Sequence, residues 1–158
     1  MSAQDLCNAL ALALTRHGWM MATAESCTGG MIAARCTDLA GSSQWFERGF
    51  VTYSNAAKSE LIGVSAQLID QHGAVSEHVA RAMALGALQH AHAQVSVAVT
   101  GIAGPAGGTP EKPVGTVWFA WSVDGQLSSE RQVFAGDRAA VRQATVKHAL
   151  QGLLDRLA

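Results

Sequence analysis

Apolar positions along the chain fall into alternating helical and strand-like blocks. Residues 3–17 carry Leu6, Ala9, Leu10, Ala13 and Leu14 at helical spacing, and Gly18 stands just past the end, where a left-handed cap belongs. Trp19–Ala24 reads as a short buried strand, and MIAARCTDLAG as a helix stopping near Gly41. Between them lies Glu25-Ser26-Cys27-Thr28-Gly29-Gly30, a strand-to-helix turn whose free N–H groups would point at whatever occupies it. Gly49–Tyr53 is strand-like. Asn55 is the expected N-cap of the short helix AAKSELIG, which Gly63 closes, and Ser65 opens another short helical piece. Ser76–His92 reads as a long helix with Val79, Ala80, Met83, Ala84, Ala87 and Leu88 on its buried face. Val95–Val99 is a β-branched run suited to a strand buried on both faces. Gly115–Val123, the turn Asp124-Gly125 and a strand near Glu130–Phe134 form a hairpin, and Asp137–Leu157 ends the chain as an amphipathic helix.

The order α-β-α-β-α-α-α-β-β-β-α predicts an α/β fold. Crossovers between the first three strands favour a mostly parallel core with helices on both faces, and the hairpin makes the sheet, of about five strands, mixed. No linker or repeat divides residues 1–158, so a single domain is expected. If the first three strands are parallel, the loops Glu25–Gly30, Tyr53–Lys58 and Thr100–Gly115 open at one end of the sheet, where a ligand site belongs. The third loop holds Gly101, Gly104, Pro105, Gly107, Gly108, Pro110 and Pro113. Its glycines let a ligand approach the main chain, and its prolines keep it from becoming a helix.

Composition narrows the classes. Apolar residues make up 49% and charged residues 15%, which fits a globular core and excludes disorder. A formal net charge of −1 without a basic run disfavours nucleic acid as a partner. The apolar runs are too short and broken to span a bilayer. The first residues lack the positive region of a signal peptide, and Asp5 precedes the apolar stretch, so a cytoplasmic location is expected. Cys7, Cys27 and Cys36 form no CxxC pair and read as free thiols.

The hydroxyls near the sheet end are Ser26, Thr28, Tyr53, Ser54 and Thr100, and Lys58 is the one amine. A serine needs a base to become nucleophilic. No histidine falls on these loops, but a lysine serves if burial brings its pKa from about 10.4 to roughly 7–8. Against this stand two plain alternatives, a solvated lysine on a short helix and a serine that only caps one. Cys27 is a rival nucleophile at a helix start; without a neighbouring histidine it reads as packing. His90 and His92 are two apart on a helix and do not share a face, so no metal site is expected. The glycine loop is neither a Walker A motif nor a Rossmann turn, so ATP and NAD are unsupported and no cofactor is expected.

The stretches TAESCTGG (23–30), GSSQWFERGFVTYSNAAK (41–58), GAVSEHVARAMA (73–84), VAVTGIAGPAGGTPEKPVGTVWFA (97–120) and GDRAAVR (136–142) resemble the CinA C-terminal domain family over nearly the whole chain. The resemblance implies a three-layer α/β/α sandwich and a homo-oligomer, with a dimer favoured. It implies hydrolysis of nicotinamide mononucleotide (NMN) to nicotinate mononucleotide and ammonia through a Ser–Lys pair. Family members that do not act on NMN exist, so a non-catalytic mononucleotide-binding or regulatory module is the alternative. The lysine of the pair matches Lys58, with Tyr53, Thr100 and an arginine of GDRAAVR in support. The serine matches Ser43 as the family is usually discussed, with Ser26 as a further essential hydroxyl. The strand-end argument ranks Ser26 first, because ten residues of strand would hold Ser43 roughly 30 Å from Lys58. Both serines stay open. Backbone N–H groups of the turns, Gly101 and Gly104 among them, suit the substrate and its oxyanion. The helix start at Thr28, Gly29 and Gly30, with Arg138 or Arg142, suits the 5′-phosphate.

Overall fold

A computed structural model describes residues 1–158. The expected order of elements is present. Helix α1 (Ala3–His17) starts at a reciprocal Ser2–Asp5 cap and ends at Gly18, φ 71°. Strand β1 (Met21–Glu25) leads through the turn to α2 (Met31–Thr37), and a 3₁₀ turn (Ser42–Gln44) leads to β2 (Phe46–Val51). Three helices follow: α3 (Asn55–Ile62), α4 (Ala66–His72) and α5 (Glu77–Gln89). Then come β3 (Val95–Gly101), β4 (Thr116–Val123), β5 (Gln126–Val133) and α6 (Arg138–Leu157). No helix is long and apolar enough to cross a membrane.

The five strands form one mixed sheet in the order β2-β1-β3-β4-β5. β1 pairs in parallel with β2 and β3, while β4 is antiparallel to both β3 and β5. Helices cover both faces, giving the three-layer sandwich. On one face Met21, Val95, Val97, Val99, Val117, Phe119 and Trp121 meet α1, α2 and α6. On the other, Ala24, Ala98 and Ala120 meet α3, α4 and α5. Alternation along the central strands β1 and β3 sorts the side chains, large to one face and small to the other. The small face lets α5 lie close, and Ser96 Oγ donates to Ala84 O of that helix at 2.8 Å. The β4–β5 turn has positive φ at both Asp124 (49°) and Gly125 (82°), as a type I′ hairpin requires.

Local expectations shift: β5 is Gln126–Val133, starting directly after the turn and not near Glu130, and α2 ends at Thr37, before Gly41. β2 is Phe46–Val51, not Gly49–Tyr53, because its register runs beside Met21–Glu25 and the chain turns away once Thr52 N has bonded Glu25 O. The cap of α3 is Ser54, whose hydroxyl accepts from Ala57 N at 3.0 Å, so Asn55 becomes the first helical residue. The cap of α2 is Gly30 with no side-chain bond, because the carboxylate of Glu25 reaches that helix end instead.

Candidate active site

The parallel strands β1, β2 and β3 end at Glu25, Val51 and Gly101 on the same side, so the three expected loops do converge. Between them lies a cleft of about 220 Å³, lined among others by Ser26, Tyr53, Asn55, Lys58, Thr100 and Arg138.

Lys58 sits one turn before Ile62 on the inner face of α3, so its stem runs inward with the core. It is 1% exposed. Its Nζ lies 3.0 Å from Ser26 Oγ and donates to Thr52 O at 2.9 Å and Tyr53 O at 3.2 Å. No carboxylate pairs with it; the molecule's two ion pairs are Arg48–Glu47 and His148–Glu130. Burial pushes the Lys58 ammonium below the ordinary lysine range. At rest the ammonium donates to these three uncharged acceptors; once it loses its proton, two N–H bonds remain for the carbonyls and the lone pair faces the Ser26 hydroxyl. Ser26 is 8% exposed, and its Oγ also lies 3.3 Å from Tyr53 O.

Glu25 anchors the turn from behind, a role the sequence reading missed. Its Oε1 accepts from Thr28 Oγ1 at 2.5 Å and Ile32 N at 2.8 Å, and its Oε2 from Ala33 N at 3.0 Å. A carboxylate ending an otherwise apolar buried strand, MATAE, was the available signal. The first N–H groups of α2 are thus already holding an anion, which leaves that helix end unsuited to a phosphate. Thr28 is fully buried in this arrangement. Arg142 clamps the same turn, donating to Cys27 O at 3.1 Å and Thr28 O at 3.2 Å. Thr28, Gly29, Gly30 and Arg142 thus shape the turn, and none of them lines the cleft.

Arg138 does line it. Its guanidinium bridges the mouth from Gly104 O (2.9 Å) to the Tyr53 hydroxyl (3.2 Å). Thr100 Oγ1 donates to Ala74 O at 2.9 Å and ties in the segment Gly73–Ser76, whose Ala74 and Val75 form part of the wall. Gly101 and Ala103 complete that wall, and the N–H groups of Cys27 and Ala103 make no hydrogen bond to another residue. Asn55, exposed at the start of α3, is a further lining residue, which the sequence marked only as a helix cap. Cys27 packs with the core, and burial pushes its thiol up to about 12, which leaves it protonated and a poor nucleophile. His90 bonds Gly86 O through Nδ1, and His92 donates its backbone N–H to Glu47.

Ser43 lies elsewhere. It is exposed on the 3₁₀ turn that precedes β2, at the opposite end of the strand from Lys58. Six residues of β2 intervene. At about 3.3 Å per residue they separate the two by roughly 20 Å, less than the expected 30 Å but far beyond contact. Within one chain, Ser26 is the serine beside Lys58.

Comparison with known proteins agrees with this architecture. A nicotinamide-nucleotide amidohydrolase PncC of Enterobacter agglomerans is 58% identical over 143 residues, 90% of this chain and 87% of its own. The protein of that name from Escherichia coli K12 is 56% identical, over 89% of this chain and 86% of its own. The crystal structure of competence/damage inducible protein CihA from Agrobacterium tumefaciens superposes with a TM-score of 0.94 at 44% identity, over 97% of this chain and 94% of its own. The model of the CinA C-terminal domain matches residues 3–157, and the chain belongs to that family.

Proposed function

We propose that this protein is a nicotinamide-nucleotide amidohydrolase that converts NMN and water to nicotinate mononucleotide and ammonia. The carrying observation is the buried Lys58 amine 3.0 Å from Ser26 Oγ, with no acid to hold its proton. The alternative, a binding module without turnover, needs a lysine far from any serine, whereas in this cleft Lys58 Nζ lies 3.0 Å from Ser26 Oγ. The relatives named for this activity, which the chain matches almost end to end, support the choice of substrate.

In the mechanism, neutral Lys58 takes the Ser26 proton as Oγ attacks the carboxamide carbon. The unpaired N–H groups of Cys27 and Ala103 suit the oxyanion of the tetrahedral intermediate, a role worth about 3–4 kcal/mol per donor in other hydrolases. The lysine ammonium then protonates the departing nitrogen, and ammonia leaves an acyl-enzyme. Water, deprotonated by the same amine, releases the acid. Arg138, with guanidinium N–H groups at the mouth, is the partner for the 5′-phosphate. Tyr53, bonded to Arg138, and Thr100, bonded to Ala74, fix the walls of the cleft.

Ammonia release measured across NMN, nicotinamide, NAD and glutamine tests the reading. Release from NMN above the others is expected. Calorimetric binding of NMN with no ammonia from any of the four would assign the protein to the binding-module class.

A further inference from the structure

We propose that the cleft selects amides carried on a cationic ring, because such a ring drives the proton off Lys58 as it binds and so arms the base that serves the attack. This rests on the reading above and explains how the site would know its substrate. The polar atoms around Lys58 Nζ are Ser26 Oγ, Thr52 O and Tyr53 O, none of them charged. Of the 11 residues lining the cleft, none is Asp or Glu, and the basic ones are Lys58 and Arg138. The nearby Cys27 thiol is neutral.

The charged groups on the surrounding elements are engaged away from Lys58. Glu25 of β1 is turned to α2. On β2, Glu47 pairs with Arg48. On α5, Glu77 accepts from the Ser129 hydroxyl, to which Arg81 donates. His78 of α5 stacks on His72 of α4 at 3.7 Å between ring centroids. Glu60 of α3 and Asp70 of α4 are exposed. Arg138 of α6 stands at the mouth, bonded to Gly104 and Tyr53. The site therefore contains positive charge and no negative charge to balance more of it.

A pyridinium whose carboxamide carbon reaches Ser26 Oγ brings its ring nitrogen to roughly 6–7 Å from Nζ, taking an attack distance of about 3 Å. At that separation, with an effective dielectric constant near 20, repulsion displaces the Lys58 proton equilibrium by about one to two pH units. The proton leaves the ammonium for solvent through the mouth. The neutral amine is then ready to accept the Ser26 proton when Oγ bonds to carbon. A neutral ring leaves the ammonium in place and the serine unactivated. The 5′-phosphate acts in the opposite sense by offsetting Arg138, so the comparison must hold the phosphate constant.

The test compares NMN with its uncharged isostere, the 3-carbamoylphenyl C-riboside 5′-phosphate. Binding to the Ser26→Ala protein, which keeps Lys58, is measured by calorimetry in buffers of differing ionisation enthalpy across pH 6–9. NMN is expected to release more protons than the isostere, by up to about half a proton near the midpoint for a one-unit displacement. Lys58→Met should abolish the difference. Equal release by the two ligands in Ser26→Ala would overturn the inference, whether or not the Lys58→Met protein folds. In the unmodified enzyme the acidic limb of kcat for NMN should lie about one pH unit or more below that of kcat/KM; coincident limbs would likewise sink it. Absence of any NMN binding or turnover is a different result, which removes the proposed function itself.

Discussion

A lysine at 1% exposure with no carboxylate beside it carries its charge at a cost, and that cost makes it usable as a base. Lys58→Met should lower kcat by about 10²–10⁴-fold, since a base acts mainly in the transition state, and should bind NMN no more weakly than wild type, because it removes a charge that opposes the ring. Retention of more than about a tenth of kcat would remove Lys58 from the chemistry. Stability should respond as well. Burial lowers the folded-state pKa of Lys58 below its unfolded value. Below both values the amine is protonated in either state and the burial penalty is fully felt. As pH rises from the folded to the unfolded pKa, the unfolded chain binds more protons and wild type gains stability. Denaturant unfolding from pH 7 to 10 should therefore show wild type rising relative to Lys58→Met, and parallel curves would contradict the burial argument. Glu25 acts differently. Glu25→Ala leaves the Ile32 and Ala33 N–H groups without their partner, which should cost roughly 2–4 kcal/mol in denaturant unfolding and slow turnover by releasing the Ser26 turn. Unchanged stability would mean that water replaces the carboxylate. Lys58 and Ser26 were legible in the sequence because few hydroxyls and one amine lie close to the strand ends, the other loop lysine, Lys112, standing far along the third loop and bonding His72 O. Glu25 was not, because an acid in a strand shows its purpose only when the helix it caps is brought beside it.

At the scale of elements, two close approaches set the sandwich, and only one bears on the site. Gly86 of α5 faces α3, and a Cβ there would lie 2.1 Å from Ile62 O, one turn after Lys58. Gly152 of α6 faces the other side of the sheet, where a Cβ would meet the Trp121 ring at 2.2 Å. Both substitutions to alanine gain helix propensity worth about 1 kcal/mol and lose more to overpacking, so each should destabilise the fold by about 1–3 kcal/mol. Their effects on catalysis should separate. Gly86→Ala pushes on the helix that carries Lys58 and should cut kcat, whereas Gly152→Ala leaves the cleft untouched and should keep kcat near wild type. Equal effects on kcat would show that the two faces are not independent. Element order was legible because strand and helix periods alternate cleanly and because glycine ends α1 and α3. The limits of β2 were not, since this edge strand is half exposed and lacks the apolar alternation that marks a buried strand. The helix start at Thr28–Gly30 looked free for a phosphate because sequence does not reveal that Glu25 already occupies it.

For the whole molecule, the open matter is the distance between the two serines. Parallel strands carry Ser26 and Lys58 to one end of the sheet and leave Ser43 at the other, so a role for Ser43 with Lys58 requires a second subunit. The geometry of one chain argues for Ser26. An enzyme quenched during turnover should accordingly carry the acyl group of nicotinate mononucleotide, ribose phosphate included, on the peptide containing Ser26, and Ser43→Ala should retain that adduct by intact mass. Ser26→Ala should carry none, because the neutral Lys58 amine then faces no hydroxyl. The subunit alternative has its own signature. If Ser43 of one copy served Lys58 of another, mixing inactive Ser43→Ala and Lys58→Ala proteins under exchanging conditions would rebuild intact sites, with activity near about a quarter of wild type in a randomly mixed dimer. The expected outcome is no recovery, with Ser43→Ala substantially active before mixing. Recovery together with an adduct on Ser43 would overturn the one-chain site. It would also mean that the 3.0 Å contact between Lys58 and Ser26 tunes a lysine whose nucleophile comes from a neighbouring copy.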